Sequence, residues 1–190
     1  MYSNSLYGFK FHHAEGDYAR MALWLGEDES KIPIFASHHA GVAGVVAREG
    51  QLLVVKEKHK QLGWKFPGGY VNLGEELDAA AIREVWEETG VKTKYSGMLG
   101  FRHSHNILFG RGDLYFVCKL EALSHEITVD DEVEDARWMD IAEFRAQNKN
   151  PLTDEIIDLI ELKTPPMEEK RLNSIVSNRK PFLFYSMPKK

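Results

Sequence analysis

The chain has 190 residues, and that length predicts one domain with a small extension. Hydrophobic residues make up 43% and charged residues 28%, which excludes a disordered, collagen-like or coiled-coil chain. The net charge of −5 disfavours extended contact with a nucleic-acid backbone. The single cysteine, Cys118, excludes an intrachain disulfide and favours a reducing compartment, so we expect a cytoplasmic protein. No apolar run reaches the roughly 18 residues of a membrane-spanning helix, and we expect no membrane partner.

The first half of the chain is predicted to contain a hairpin, an interrupted strand and a helix. Two β-branched runs within residues 41–58 predict a β-hairpin with Gly50 in its turn. A short strand over residues 64–71 is interrupted by a Pro-Gly-Gly run, which leaves backbone free to approach another group closely. Good helix formers over Glu75–Thr89 predict a helix of about four turns. Gly90 stands where a left-handed C-terminal cap is expected.

The second half is predicted to contain three strands and two short helices, with strands at 91–105, 113–122 and 136–139 and helices at 141–146 and 153–160. A loop at 106–112 is expected to join the first two strands as a hairpin. Thr153 is the predicted N-cap of the last helix. The apolar residues 181–185 predict that the C-terminal tail packs back on the domain. Because strands and helices do not alternate regularly, the pattern indicates an α+β fold.

The helix predicted over Glu75–Thr89 carries three glutamates on one face. Glu84, Glu87 and Glu88 fall within an arc of about 100° on a helical wheel, opposite the apolar face. Like charges three and four residues apart cost about 0.2–0.5 kcal/mol per pair, and the helix dipole disfavours anions in the last turn. A helix that accepts this loss of stability at one place indicates a functional site there, and a bound cation would offset the repulsion. Carboxylate oxygens favour Mg²⁺ or Mn²⁺ as that cation. The alternative interpretation is a solvated acidic helix face.

The spacing around these glutamates forms a longer motif. From Gly69 the chain has five residues, Glu75, seven residues, Arg83-Glu84-Val85, one residue, Glu87-Glu88, one residue and Gly90-Val91. At every fixed position this resembles the 23-residue signature of the Nudix hydrolases. The resemblance implies an α/β/α sandwich with a mixed central sheet, in which a strand, loop and helix hold divalent cations against a pyrophosphate.

The same resemblance implies a metal site. Glu84, Glu87 and Glu88 are expected to ligate one to three Mg²⁺ or Mn²⁺ ions, with the carbonyl oxygen of Gly68 as an additional ligand. Such ions neutralise phosphoryl oxygens and orient a water molecule for in-line attack. No covalent intermediate with the enzyme is implied.

Other positions of the motif are expected to support these ligands. Arg83 is expected to orient Glu87 or Glu88 instead of touching substrate. Glu75 resembles a supporting acid near the end of the loop, and Gly69 supports the loop itself.

The acidic stretch Asp130–Asp135 is the expected source of a general base, because carboxylates that ligate metal are not free to accept the proton of the attacking water. Glu132 stands six residues before Trp138, a spacing that resembles the loop acid of other Nudix enzymes. We favour Glu132 over Glu134 as base or as ligand of an additional metal ion. The alternative is a solvated loop.

Residues outside the motif resemble one subgroup of the family. The segments that carry this resemblance are Gly8–Ala14, Leu23–Leu25, Ala36–His38, Gly41–Gly44, Trp64–Gly69, Arg102–His105 and Asp113–Cys118. The subgroup includes the vertebrate protein encoded antisense to fibroblast growth factor 2 and plant cytosolic enzymes that hydrolyse ADP-ribose and NADH. It implies an N-terminal extension over 1–40, resembling the last helix and strand of a longer region, a Nudix domain over 41–163 and a C-terminal extension over 164–190. A homodimer is a further expectation.

Five residues are candidates for substrate contact, namely Lys65, Arg102, His103, His105 and Phe109. His103 and His105 alternate along a predicted strand and are expected to share one face, with Arg102 on the other. The alternative for both histidines is a structural role. We expect no zinc site there, because no cysteine or acid has the required spacing.

The expected activity is hydrolysis of the pyrophosphate bond in a nucleoside diphosphate linked to another moiety, with ADP-ribose or NAD(H) as first candidates. The rival hypothesis is a Nudix-fold binding or regulatory module without significant turnover. The expected binding partner is a small nucleotide substrate. Hydrolysis of 5′-capped RNA or of nucleoside triphosphates is the alternative for the substrate.

Overall fold

A computed structural model describes residues 7–58, 63–129, 131–175 and 180–188. Its strands are β1 (Lys10–Glu15), β2 (Tyr18–Ala22), β3 (His38–Arg48), β4 (Gln51–Glu57), β5 (Trp64–Lys65), β6 (Thr93–Leu108), β7 (Arg111–Ala122), β8 (Val133–Asp140), β9 (Glu168–Leu172) and β10 (Phe182–Ser186). Its helices are α1 (Leu77–Thr89), α2 (Ile141–Gln147) and α3 (Pro151–Glu161). None of the helices in these described ranges has the length and apolar composition needed to cross a membrane.

The central sheet is mixed and has the order β5-β4-β3-β7-β6, with β8 paired to β4. Strand β3 is parallel to β7, whereas the other pairs are antiparallel. Strands β3 and β4 pair only near their turn and then separate. The segment between β5 and α1 (residues 66–76), which we call the box loop, forms backbone hydrogen bonds with β3 where β4 has separated from it. Val42 donates its N–H to the Gly69 carbonyl at 2.8 Å, and Gly44 donates to the Pro67 carbonyl at 2.9 Å.

Helices cover both faces of the sheet. Val42 and Val46 of β3 pack with Val85 of α1, whereas Val45 packs with Phe144 of α2 on the opposite face. This arrangement confirms the expected α+β fold with an α/β/α sandwich and a mixed central sheet. Helix α1 sits very close to β3, because a Cβ atom at Gly44 would lie 2.3 Å from the Val85 side chain.

Two predicted glycine positions are confirmed, and one helix boundary is corrected. Gly50 has φ +81° in the β3–β4 turn. Gly90 has φ +68° and donates its N–H to the Trp86 carbonyl at 2.8 Å, as a left-handed cap requires. Helix α1 begins at Leu77, because Glu75 belongs to the box loop and donates its N–H to the carbonyl of Asn72.

The loop predicted at 106–112 is wrong, because β6 and β7 continue almost to each other. Only Phe109 and Gly110 lie between the two strands, and both have positive φ, at +50° and +69°. This conformation matches the twist of a tight two-residue hairpin. Asn106, also at positive φ, lies where the pairing register of β6 shifts.

Thr153 is not the N-cap of α3. Asn150 has that role, because its side chain accepts a hydrogen bond from the Leu152 N–H at 3.1 Å. Pro151 follows as the first helical residue, where its missing N–H has no cost. Thr153 is buried inside the first turn.

The two extensions both form hairpins. Within described residues 7–40 the chain forms the β1–β2 hairpin and no helix, which corrects the expected helix. The C-terminal strands β9 and β10 pair with each other, and Met167 exchanges two backbone hydrogen bonds with Met98 of β6. Met167 thus joins the start of this segment to β6, and the packing of the whole C-terminal extension stays a prediction. Residues 1–6, Asp130, 176–179 and 189–190, which the predicted extensions and acidic stretch include, lie outside the described residues.

Candidate active site

The last two turns of α1 bring three carboxylates to the box loop. Glu84 and Glu88 are mostly buried, whereas Glu87 is about half exposed. A Cβ atom at Gly69 would lie 2.7 Å from a carboxylate oxygen of Glu84. The N–H of Gly68 donates to Oε2 of Glu88 at 2.7 Å. The two glycines therefore let the loop backbone touch the carboxylates directly.

Arg83 connects the box loop to two of these carboxylates. Its guanidinium donates to Glu75 and also to Glu84 and Glu87, the last two at 2.8 Å, and to the Tyr70 carbonyl at 3.0 Å. The hydrogen bonds that Arg83 donates to Glu75 are the main reason why the pKa of Arg83 is raised. Arg83 thus orients Glu87, one of the two residues expected from the sequence, together with Glu84.

Lys65 places a positive charge among three oxygen atoms. Its Nζ lies 2.7 Å from Oε1 of Glu57, 3.3 Å from Oε1 of Glu88 and 3.1 Å from the Gly68 carbonyl. Burial alone lowers the pKa of Lys65, but the carboxylates of Glu88 and Glu57 outweigh burial and the pKa is raised. Burial also raises the pKa of Glu88, although Lys65 and the Gly68 N–H oppose part of that rise.

These groups form a donor set that fits a hard divalent cation. Glu84, Glu87, Glu88 and the Gly68 carbonyl offer only oxygen atoms, which Mg²⁺ and Mn²⁺ prefer. Positive charge is already favoured here, because the ammonium group of Lys65 contacts both Glu88 and Gly68.

Glu132, in the loop before β8, and Glu134, the second residue of β8, have different surroundings. Glu134 forms an ion pair with Lys56 at 2.6 Å. Glu132 is exposed and precedes Val133, whose partner in β4 is Glu57. Glu132 therefore lies near the strand end from which Glu57 reaches Lys65, but its role as a base stays a prediction.

Strands β6 and β7 add a second group of polar side chains beside the box loop. Tyr115 lies under this loop, because a Cβ atom at Gly41 would meet both the Tyr115 ring at 3.1 Å and the Gly69 carbonyl at 3.3 Å. The Arg102 guanidinium lies 4.9 Å from the centre of the Tyr115 ring and forms an ion pair with the buried Asp113. Burial raises the pKa of Tyr115 to about 12.

Three rings continue this surface toward the β6–β7 turn. The His39 ring lies 5.9 Å from that of Tyr70 and 6.3 Å from that of Phe109. Phe109 is 85% exposed, so its ring is open to contact. His39 Nε2 and Arg102 Nε are buried without a hydrogen-bond partner among the described residues.

His103 and His105 lie elsewhere. Cross-strand pairs put Arg102 beside Tyr115 and put His103 beside Leu114, and adjacent residues of a strand face opposite sides. The expected separation of Arg102 from the two histidines is therefore confirmed. The two histidines meet His38 on the face opposite Tyr115. The cluster that they form contains none of Glu84, Glu87 and Glu88, which we call the box carboxylates or box glutamates.

Sequence reasoning missed four residues of this region. These residues are Glu57, His39, Asp113 and Tyr115, and each lies on a strand outside the motif. A charged residue such as Asp113 directly before the apolar run 114–118 was the available signal. Its partner Arg102 becomes evident only once the two-residue turn fixes the register of β6 on β7.

Comparison with known proteins gives consistent matches. Residues 37–160 match the family described as NUDIX domain. Nudix hydrolase 8 of Arabidopsis thaliana is 44% identical over 147 residues, which cover 74% of this chain and 40% of that protein. Nucleoside diphosphate-linked moiety X motif 6 of Xenopus laevis is 41% identical over 160 residues, which cover 80% of this chain and 74% of that protein. The chain thus spans less than half the length of the plant relative.

A solved structure has the same architecture. The NUDIX hydrolase from Nitrosomonas europaea superposes with a TM-score of 0.59 and 25% identity. The superposition covers 67% of this chain and 91% of that chain.

Proposed function

Because the chain belongs to the Nudix family, we propose that it is a pyrophosphohydrolase that uses Mg²⁺ or Mn²⁺ to cleave a nucleoside diphosphate linked to a second moiety. The observation that carries this proposal is the complete carboxylate set of α1. Glu84, Glu87 and Glu88 are all present and held beside the box loop by Arg83 and by the Gly68 N–H.

Each of the chain's own groups has a distinct task in this reaction. Glu84, Glu87, Glu88 and the Gly68 carbonyl would hold the cation. When bound, the cation neutralises phosphoryl oxygens and lowers the cost of the charge that develops during attack. Arg83 keeps two carboxylates in place while staying charged itself.

Proton transfer and phosphate contact fall to other residues. Glu132 is our candidate to accept the proton of the attacking water, since the box carboxylates are occupied as ligands. Lys65 is our candidate for a phosphate contact, because a cation bound by Glu88 and the Gly68 carbonyl takes two of its three oxygen partners. The ammonium group, still paired with Glu57, can then donate to the substrate as well.

ADP-ribose or NAD(H) is our proposed substrate. The name of the Xenopus laevis relative describes a nucleoside diphosphate joined to a variable moiety. Arg102 and Lys65 offer positive charge for a diphosphate, and the exposed Phe109 ring offers a surface for a base. His39 Nε2 and Arg102 Nε, both buried without a partner among the described residues, offer hydrogen bonds to a ligand.

The rival function is ligand binding without turnover, and the alternative substrates are 5′-capped RNA and nucleoside triphosphates. A binding module has no need of metal-ligating carboxylates, whereas all three are present here. The net charge of −5 disfavours long RNA.

A substrate panel tests the proposal. Initial rates with ADP-ribose, NADH, NAD, dinucleoside polyphosphates, nucleoside triphosphates and capped RNA are measured with Mg²⁺ and with Mn²⁺. We expect the highest rates with ADP-ribose or NADH and none after chelation. The matched control is Glu121→Gln, which removes an exposed acid of β7 outside the site. Tight binding of ADP-ribose without hydrolysis of any compound would support the rival function.

A further inference from the structure

Three histidines meet at one end of the sheet, on the face opposite Tyr115. His38 begins β3, whereas His103 and His105 lie near the end of β6. Ligand nitrogens of the three rings all lie within 4.8 Å of one another. His38 Nε2 and His103 Nε2 are 2.7 Å apart, and the rings of His103 and His105 are 4.4 Å apart. Strand β7 lies between β3 and β6, so only the folded sheet assembles this cluster.

Gly112 of β7 makes room for the cluster. It pairs with His38 across the parallel ladder, and its backbone lies beneath the His38 ring. A Cβ atom at Gly112 would lie 2.4 Å from Cδ2 and 2.6 Å from Nε2 of His38. Any side chain here would therefore displace the ring from its partner. The φ of Gly112 is not positive, so space is the reason for glycine at this position.

Ser37 orients the first ring. Its Oγ lies 2.8 Å from His38 Nδ1. When Nδ1 donates its proton to this hydroxyl, Nε2 carries the lone pair and points at His103. Metal-binding histidines usually have this arrangement, in which a hydrogen bond to one ring nitrogen fixes the tautomer and leaves the other nitrogen free to bind the metal.

The spacing of the nitrogens suits a transition metal. Ring nitrogens 2.7 Å apart share a single proton, and a metal ion can take the place of that proton. Tetrahedral Zn²⁺ with bonds of about 2.0–2.1 Å places neighbouring ligand nitrogens roughly 3.3 Å apart. That value lies between the 2.7 Å contact and the 4.8 Å limit of the cluster. Small rotations of the rings are therefore sufficient to bring the nitrogens to the spacing that tetrahedral Zn²⁺ requires.

We propose that His38, His103 and His105 form a Zn²⁺ site with a water molecule in the fourth position. Three imidazoles favour Zn²⁺ over Mg²⁺, which prefers oxygen ligands. His103 and His105 are exposed, so the ion has access. The expectation of no zinc site considered only ligands close in sequence, whereas β3 supplies the third. Once bound, the ion ties the start of β3 to the end of β6.

This site is separate from the box carboxylates. Gly69, the loop residue that touches Glu84, accepts a hydrogen bond from Val42 of β3. His38 lies four positions before Val42, which is about 13 Å along a strand. The two sites have no residue in common. Zinc binding and nucleotide hydrolysis therefore have independent tests.

Calorimetric titration of the full chain with Zn²⁺ in excess Mg²⁺ tests the proposal. We expect one Zn²⁺ per chain, with affinity reduced at least about tenfold in His38→Ala and His103→Ala. Gly112→Ala keeps every histidine and should reduce the affinity through displacement of His38 alone. His39→Ala is the matched control, because the neighbouring ring faces the other side and should leave zinc affinity unchanged.

Two further measurements distinguish zinc binding at the three histidines from metal binding at the box carboxylates. The triple variant Glu84→Gln, Glu87→Gln, Glu88→Gln should bind Zn²⁺ as the wild type does. Ring ¹⁵N spectra of the wild-type protein need no substitution, and three of the eight histidines should change on addition of Zn²⁺. Absence of saturable binding, unchanged affinity in both His38→Ala and His103→Ala, or loss of binding in the triple variant would overturn the proposal.

Discussion

Arg83 and Glu75 are joined by two parallel hydrogen bonds, from Nε to Oε1 at 2.8 Å and from Nη2 to Oε2 at 2.9 Å. Paired bonds of this kind fix the guanidinium in one plane. The same group then reaches Glu84 and Glu87. Glu75, which lies outside the helix, thereby determines where two carboxylates of the helix lie.

Glu75→Gln should lower the free energy of unfolding at neutral pH by about 1–2 kcal/mol, because a charged hydrogen bond is lost. The Arg83 hydrogen bonds hold the pKa of Glu75 below its ordinary value. Its stabilisation is therefore complete above the unfolded-state pKa of about 4.3 and is lost as the pH falls through the lower folded-state pKa. Urea unfolding at several pH values measures this.

The matched control for that measurement is Glu76→Gln, which changes the exposed neighbour. The difference between wild type and Glu75→Gln should shrink below about pH 4. A difference that stays constant down to acid pH would mean that the charge of Glu75 does not contribute.

Glu87→Gln and Glu88→Gln should each lower turnover by at least about 10²-fold, because electrostatic stabilisation of a phosphoryl transition state is lost. The fold should survive, since removing one carboxylate relieves repulsion on α1. Steady-state kinetics with the preferred substrate and circular dichroism check both points. Turnover equal to that of Glu121→Gln in both variants contradicts the metal-site assignment.

Added Mg²⁺ should raise the melting temperature of the wild type, because an ion that binds only the folded state stabilises it by mass action. The triple variant of Glu84, Glu87 and Glu88 to glutamine should show no such rise. Thermal melts with and without Mg²⁺ give the comparison. Equal shifts in both proteins would place the ion at another site.

Glu132→Gln should lower kcat by about 10- to 10³-fold and leave KM within a few-fold, since a general base acts mainly in the transition state. Glu134→Gln is the control, because Glu134 is paired with Lys56. If Glu132→Gln keeps full activity and Glu134→Gln loses activity, then Glu134 is the base and Glu132 is not. If both variants keep full activity, a box glutamate is the base.

Local patterns were sufficient for much of the fold. Three local features are confirmed, namely helix α1, its Gly90 cap and the Gly50 turn. Each depends on residues that are close in sequence. The Thr153 cap failed for a reason that is also local, since Asn150 followed by Pro151 is the stronger start signal.

What the sequence could not supply was the strand register. Tyr115 lies under the box loop and His38 meets His103 only because β7 pairs with β3 on one side and β6 on the other. The β6–β7 pairing is a local hairpin, but the β3–β7 pairing joins residues 74 positions apart, such as His38 and Gly112. That pairing brings His38 to His103, which is 65 positions away. No periodicity within a single segment encodes it.

The contact between Met98 and Met167 has a consequence for association between molecules. Strand β6 is an outer strand of the sheet, and exposed strand edges invite pairing with another chain. Met167 takes both backbone hydrogen bonds that Met98 would otherwise offer, and Pro166 covers the adjacent Gly97. The C-terminal segment therefore protects this edge, and a chain shortened before residue 166 should aggregate more readily although the matched domain, 37–160, is intact.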